Sequence, residues 1–191
     1  LLLATSCGST EAARPRHVAR TSGDAVALSY DERVAVVTNR SANSVTVLSL
    51  KPERGLDNMV VRSTLLPLED GSEPWAAIVG ADDDTAYVLL RHAQKVVRID
   101  NLRQDPSLAK KGVNVGSEPM ALALSPTGKS LFVSNWADGT VTYIDTTSFE
   151  RRTELDLHQD LLDTQVLGSL ATRPGLAPPR ALVLPDRKSV V

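Results

Sequence analysis
The chain has 191 residues, 21 basic against 23 acidic, for a formal net charge of −2. That balance, with no block of one sign, speaks against a nucleic-acid partner and against a charged tail. The length suffices for a buried core, and the single cysteine, Cys7, excludes an intramolecular disulfide.

From the start, Leu1-Leu2-Leu3-Ala4-Thr5-Ser6-Cys7-Gly8 is an apolar run, then small residues, then Cys. It resembles the end of a bacterial lipoprotein signal, in which the Cys thiol takes the lipid. Ala4 departs from that pattern, which favours Leu three residues before the Cys. The resemblance makes residues 1–7 a signal remnant ending at a lipidated Cys7. Gly8 after it implies outer-membrane sorting, and 8–16 becomes a tether. The alternative is a plain signal-peptide end with an incidental Cys.

His17-Val18-Ala19-Arg20-Thr21 reads as an outer strand, and the first unit of strands continues to about residue 66. In it Ala25–Ser29, Val36–Asn39 and Val45–Val47 are strand runs, and an outer strand lies near Val60–Leu66. A second unit spans 73–115, with Asp82-Asp83-Asp84 in its first turn. Three consecutive carboxylates cannot all face one calcium ion, so a solvated turn is expected. Residues 101–112 read as a polar connector before a short outer strand at Val113-Asn114-Val115.

The third unit, 118–157, is the clearest. Met120, Leu122 and Leu124 alternate with small residues at period two. Ser125-Pro126-Thr127-Gly128 is a turn, with Gly supplying the positive φ. Leu131–Val133 follows, then Asp138-Gly139, a two-residue hairpin signal, then Thr140–Ile144. An outer strand is expected near Arg152–Leu157. Leu157, Leu161, Leu162 and Leu167 allow a helical turn or two before Pro178-Pro179. Both faces of these strands are apolar or small, so each sheet must be covered on both sides.

The units repeat. Glu73–Val79 matches Glu118–Leu124 at 118 − 73 = 45, and Ala25–Ser29 matches Ala121–Ser125 at 121 − 25 = 96. A further copy starts at about 178, with Pro179-Arg180-Ala181-Leu182. A period in the forties with several strands per unit predicts an all-β fold of β-propeller type. About three four-stranded blades and the start of a fourth, over 17–185, make part of a larger ring. Residues 186–191 can be encoded by GAT-CGG-AAG-AGC-GTC-GTG, the start of a sequencing adapter, and are expected to be an assembly scar. The alternative is a native turn and strand like Pro126–Phe132.

Phe132-Val133-Ser134-Asn135 with Gly139–Asp145, and Val36-Val37-Thr38-Asn39 with Asn43–Val47, resemble the YVTN-type β-propeller repeat of surface-layer-like proteins. In the middle blade Leu90 replaces the Asn, whose expected task is to cap the strand-to-turn backbone. The resemblance implies an exported protein. Lactonase-like and redox-linked propellers share such a fold, so the fold does not choose among them.

No His or Cys pair, nucleophile elbow or phosphate-cradling loop appears, so no catalytic residue, metal ligand or cofactor is assigned. The candidate binding face comprises the loops entering the inner strands and those between second and third strands. They carry Arg40, Glu73, Trp75, Arg91, His92, Glu118, Asn135 and Trp136. Trp and Arg are common at binding hot spots. The plainer readings are that both Trp pack between blades, that Arg91 and His92 are solvated, and that each Glu caps its own turn. The expected function is a lipid-anchored binding or scaffold module at the cell envelope, meeting an envelope protein, small ligand or glycan. The alternative is the platform of a larger enzyme, lactonase-like or with a fused haem domain.

Overall fold
Alternating apolar strands separated by tight turns produce three antiparallel sheets, each with its strands in chain order. The computed structural model describes residues 23–163 and 179–182. Cys7, the strand expected at 17–21, Leu167 and residues 186–191 lie outside the described residues. The first sheet contains β1 (Val26–Leu28), β2 (Val34–Asn39), β3 (Ser44–Leu50) and β4 (Val60–Pro67). The second contains β5 (Pro74–Val79), β6 (Ala86–Leu90), β7 (Lys95–Asp100), β8 (Ser107–Leu108) and β9 (Val113–Asn114). The third contains β10 (Pro119–Leu124), β11 (Ser130–Asn135), β12 (Thr140–Asp145) and β13 (Glu150–Asp156), and helix α1 (Leu157–Asp163) follows. The all-β expectation holds.

The sheets stack through two apolar layers. Val34, Val36, Val45 and Val47 meet Ala77, Val79, Val88, Leu90 and Ile99 between the first and second sheets. Ile78, Leu89 and Val96 meet Leu122, Leu131, Val133 and Ile144 between the second and third. Because side chains alternate across a strand, β6 feeds both layers and all five of its residues are buried. At the axis, Gly23 and Asp24 bond to Leu122 and Ala77 of the neighbouring inner strands.

Three expectations need correction. Residues 101–112 are more than a connector, because Ser107–Leu108 pairs with Ile99 and Asp100. Asp138-Gly139 is not a two-residue turn. Asn135 pairs with Thr140, leaving a four-residue loop, 136–139, in which Gly139 takes the positive φ. Of the further copy expected from about 178, only residues 179–182 are among the described residues. The Asp82–Asp84 turn is not simply solvated. Asp83 is 8% exposed and accepts the Tyr30 N–H at 2.5 Å, bridging to the first sheet. Asp84 accepts the Arg103 N–H, and Asp82 accepts the Thr85 hydroxyl.

The Asn of the repeat also acts differently from expectation. Asn39 Nδ2 donates to the Ser44 and Thr46 hydroxyls at 3.2 and 2.8 Å. Asn135 Nδ2 donates to those of Thr140 and Thr142 at 2.9 and 2.8 Å. It is a side-chain latch between strands, not a backbone cap. In the second sheet the corresponding residues are Leu90, Lys95 and Val97, so the whole latch is replaced, and Leu90 enters the apolar layer instead.

Burial works to raise the pKa values of Asp31 and Asp82. Hydrogen bonds from Ser29, Arg33 and Arg103 to Asp31, and from Thr85 and Asp84 to Asp82, outweigh it and hold both below the ordinary value. The Ser148 N–H and Arg152 lower Asp145 likewise. A depressed folded pKa stabilises the fold above the unfolded value of about 4, and that stability is lost as pH falls through the folded values. Urea midpoints measured from neutral pH down through this window are expected to fall on the acid side. The double substitution Asp31→Asn, Asp82→Asn is expected to flatten that limb.

Candidate functional site
The strand entries and the second-to-third-strand turns lie at one end of the sheets, since Pro74 pairs with Leu90 and Pro119 with Asn135. Glu73 and Glu118 occupy matching entry positions, both at positive φ, 53° and 50°. The carbonyl of each accepts the N–H that opens the adjacent turn, Arg91 in one case and Trp136 in the other. These bonds tie each entry loop to its neighbouring turn, and each carboxylate reaches the preceding sheet or its turn. Glu73 pairs there with Arg40, and Glu118 with Arg91 at 2.6 Å. The two carboxylates do not meet, and neither caps its own turn.

Trp75 lies between these pairs. The Arg40 and Arg91 guanidinium carbons are each 4.8 Å from its ring centroid. Its Nε1 donates to the Met120 carbonyl at 3.1 Å, anchoring the indole to the third sheet. Glu73, Arg40, Trp75, Arg91 and Glu118 thus form one row across both sheet junctions. Arg91 is therefore not a solvated turn residue. Trp75 packs between sheets, as the plainer reading held, yet it also belongs to the row.

The other candidates separate. His92 is exposed and makes no hydrogen bond or ion pair among the described residues. Asn135 is fully buried in its latch and offers no surface at this end of the sheets. Gly116 packs so closely on it that an added Cβ would sit 2.7 Å from Asn135 Cγ. Trp136 occupies the position of Arg40 and Arg91, and the Arg180 guanidinium lies 5.7 Å from its ring centroid. Arg180 in turn aligns with Trp75, so Arg and Trp exchange places at this junction. The sequence signal for that swap was the alignment of Ala181-Leu182 with Ala121-Leu122, which places Arg180 over Met120 and Trp75. Sequence reasoning also missed Asp138, whose Oδ2 accepts the Ser117 N–H at 2.6 Å and holds the third entry loop.

At the opposite end, the second and third sheets enclose a polar cleft of about 440 Å³, lined in part by Asp82, Tyr87, Arg98, Asp100 and Lys129. Arg98 and Asp100 pair at 2.8 Å, and burial pushes the Tyr87 phenol up, so it stays neutral at ordinary pH. Among the described residues, no group of three or more His, Cys, Asp or Glu is placed to hold a metal. No described helix is long and apolar enough to cross a membrane.

No family model matches the chain, and no curated protein does. A putative 6-phosphogluconolactonase of Bacteroides fragilis matches in structure with TM-score 0.58 and 18% identity, over 70% of this chain and 41% of that one. The periplasmic gluconolactonase of Pseudomonas aeruginosa gives 0.52 and 23%, over 68% and 39%. The dihydro-haem d1 dehydrogenase NirN gives 0.53 and 19%, over 69% and 27%. The fold is a partial β-propeller. The chain spans about two fifths of the length of the two lactonase structures. Likeness at these identities shows the propeller fold alone, because unrelated activities share it.

Proposed function
We propose that the Trp75 end of the propeller is the recognition surface of an exported, lipid-anchored binding module at the bacterial envelope. The observation that carries this is the row Glu73–Arg40–Trp75–Arg91–Glu118, built across two blade junctions. Stability does not explain it. Arg40 and Glu118 are about half exposed as side chains, and such pairs contribute only about 0.2–1 kcal/mol each. Pre-positioned Arg and Trp side chains are what binding hot spots require. Each carboxylate already holds a guanidinium, an arrangement suited to recognition by fixed charges rather than to proton transfer. The partner class is an envelope protein or a small ligand such as a glycan. The Leu1–Cys7 pattern supports the anchor.

A photo-crosslinker placed at exposed His92 in cells is expected to trap a partner that one at exposed Glu150, away from the row, does not. Arg91→Ala is expected to weaken that partner's binding about tenfold. Unchanged binding in Arg91→Ala would remove the row from recognition. Labelling with a fatty-acid analogue is expected in the native chain and lost in Cys7→Ala.

The second reading is the platform of a larger enzyme. The lactonase and haem d1 structures support it to the extent that propellers of this kind host such chemistry. Under it, the whole protein hydrolyses a sugar lactone or carries a haem. Lactonase activity of the complete protein that survives Arg91→Ala, with no trapped partner, would favour it.

A further inference from the structure
We infer that the foot of the first blade is a binding groove for a phosphoryl group carried on an apolar body, with the headgroup of an anionic phospholipid as its source. The groove, about 370 Å³, lies at the opposite end from Trp75, where β3 and β4 meet the loop after β7. Arg33, Lys51, Arg62 and Arg103 line it, together with Val34, Leu50, Val61 and Ser49, and no carboxylate does.

The charges in this groove are unequally compensated. Arg103 is committed, at 2.8 Å to Asp31 and 3.5 Å to Asp83. Among the described residues, Arg62 is held only by neutral acceptors: the Ser49 hydroxyl and the carbonyls of Leu102, Arg103 and Gln104. Those bonds fix the guanidinium in place and leave its full charge in the groove. Among the described residues the Arg33 guanidinium has one loose partner, Glu53 at 3.6 Å, with both side chains more than half exposed. Lys51 has no ion-pair or hydrogen-bond partner for its ammonium among the described residues. An oxyanion accepting from Lys51 and Arg33 would neutralise what the protein leaves open.

The apolar half of the lining selects the source. A free inorganic ion gains nothing from Leu50 and Val61. Val61 in the groove and Val60 beside it, both at the start of β4, are 41% and 51% exposed. Basic groups beside exposed apolar side chains are the pattern of a surface that rests on an anionic bilayer. Seated so, the blades would turn the Trp75 end away from the membrane. The groove is independent of that end, and either can fail alone.

The test uses the purified chain with vesicles of phosphatidylcholine alone, vesicles containing phosphatidylglycerol, and inorganic phosphate. Binding is expected only with phosphatidylglycerol, and it weakens with salt. Lys51→Gln and Arg33→Gln are each expected to weaken it about fivefold, the worth of one basic residue at an anionic surface. Lys51→Arg is expected to retain it. Lys111→Gln, which removes an equal charge elsewhere, is expected to change little. Equal binding to phosphatidylcholine vesicles, or equal losses in Lys111→Gln and Lys51→Gln, overturns the groove. Lys51-dependent binding of inorganic phosphate with no vesicle binding upholds the anion site and overturns the lipid as its source.

Discussion

Asn135→Ala is expected to lower stability by about 3 kcal/mol. The substitution removes the donor to two hydroxyls, those of Thr140, 8% exposed, and Thr142, fully buried. Each unpaired buried hydroxyl costs about 1–3 kcal/mol. Thr142 also lies 3.4 Å from Glu154 Oε2, which moderates its share. The second blade shows the apolar solution to the same problem, with Leu90, Lys95 and Val97 at the corresponding places. The triple change Asn135→Leu, Thr140→Lys, Thr142→Val is therefore expected to recover most of what Asn135→Leu alone loses. Denaturant unfolding of the two variants measures this. A triple variant no more stable than Asn135→Leu would show that the three positions do not act as a unit.

Asp83→Ala is expected to cost about 2–3 kcal/mol, and Asp83→Asn under about 1 kcal/mol. The Tyr30 N–H reaches across the blade junction to Asp83 Oδ1, and the Ala variant leaves it without that acceptor. Asp83 also sits at φ 56°, a left-handed conformation that Asn tolerates better than Ala. Asn keeps an acceptor oxygen and the turn and loses only the distant Arg103 pair, where Asp31 still serves Arg103. Thermal unfolding of both variants checks this. Equal losses would mean that the charge, not the hydrogen bond or the backbone, matters at Asp83.

The repeat was legible because it is written in local chemistry. Met120, Leu122 and Leu124 alternate, Gly128 takes the positive φ its turn needs, at 71°, and Glu-Pro opens two inner strands. The latch was legible too, as Asn followed by hydroxyls five and seven residues on, at 39/44/46 and 135/140/142, but its role was mistaken. Cross-strand register determines what an Asn side chain meets, and register is not local. The same limit applies to Asp138-Gly139, where pairing of Asn135 with Thr140 overrode the two-residue turn signal.

The candidate face was legible as a set of loops, because antiparallel strands return every second turn to the same end. Which of its residues act together was not legible. Arg40 and Glu73 are 73 − 40 = 33 residues apart, and Arg91 and Glu118 are 118 − 91 = 27 apart. Only the stacking of one sheet on the next brings them to a shared indole. The groove at the foot of the first blade is likewise tertiary, with Arg62 and Arg103 contributed by different sheets. Period and turn chemistry act over a few residues, and they settle the strands and the number of units seen here. Charge pairing and burial act through space, and they settled which of the loop residues form a site.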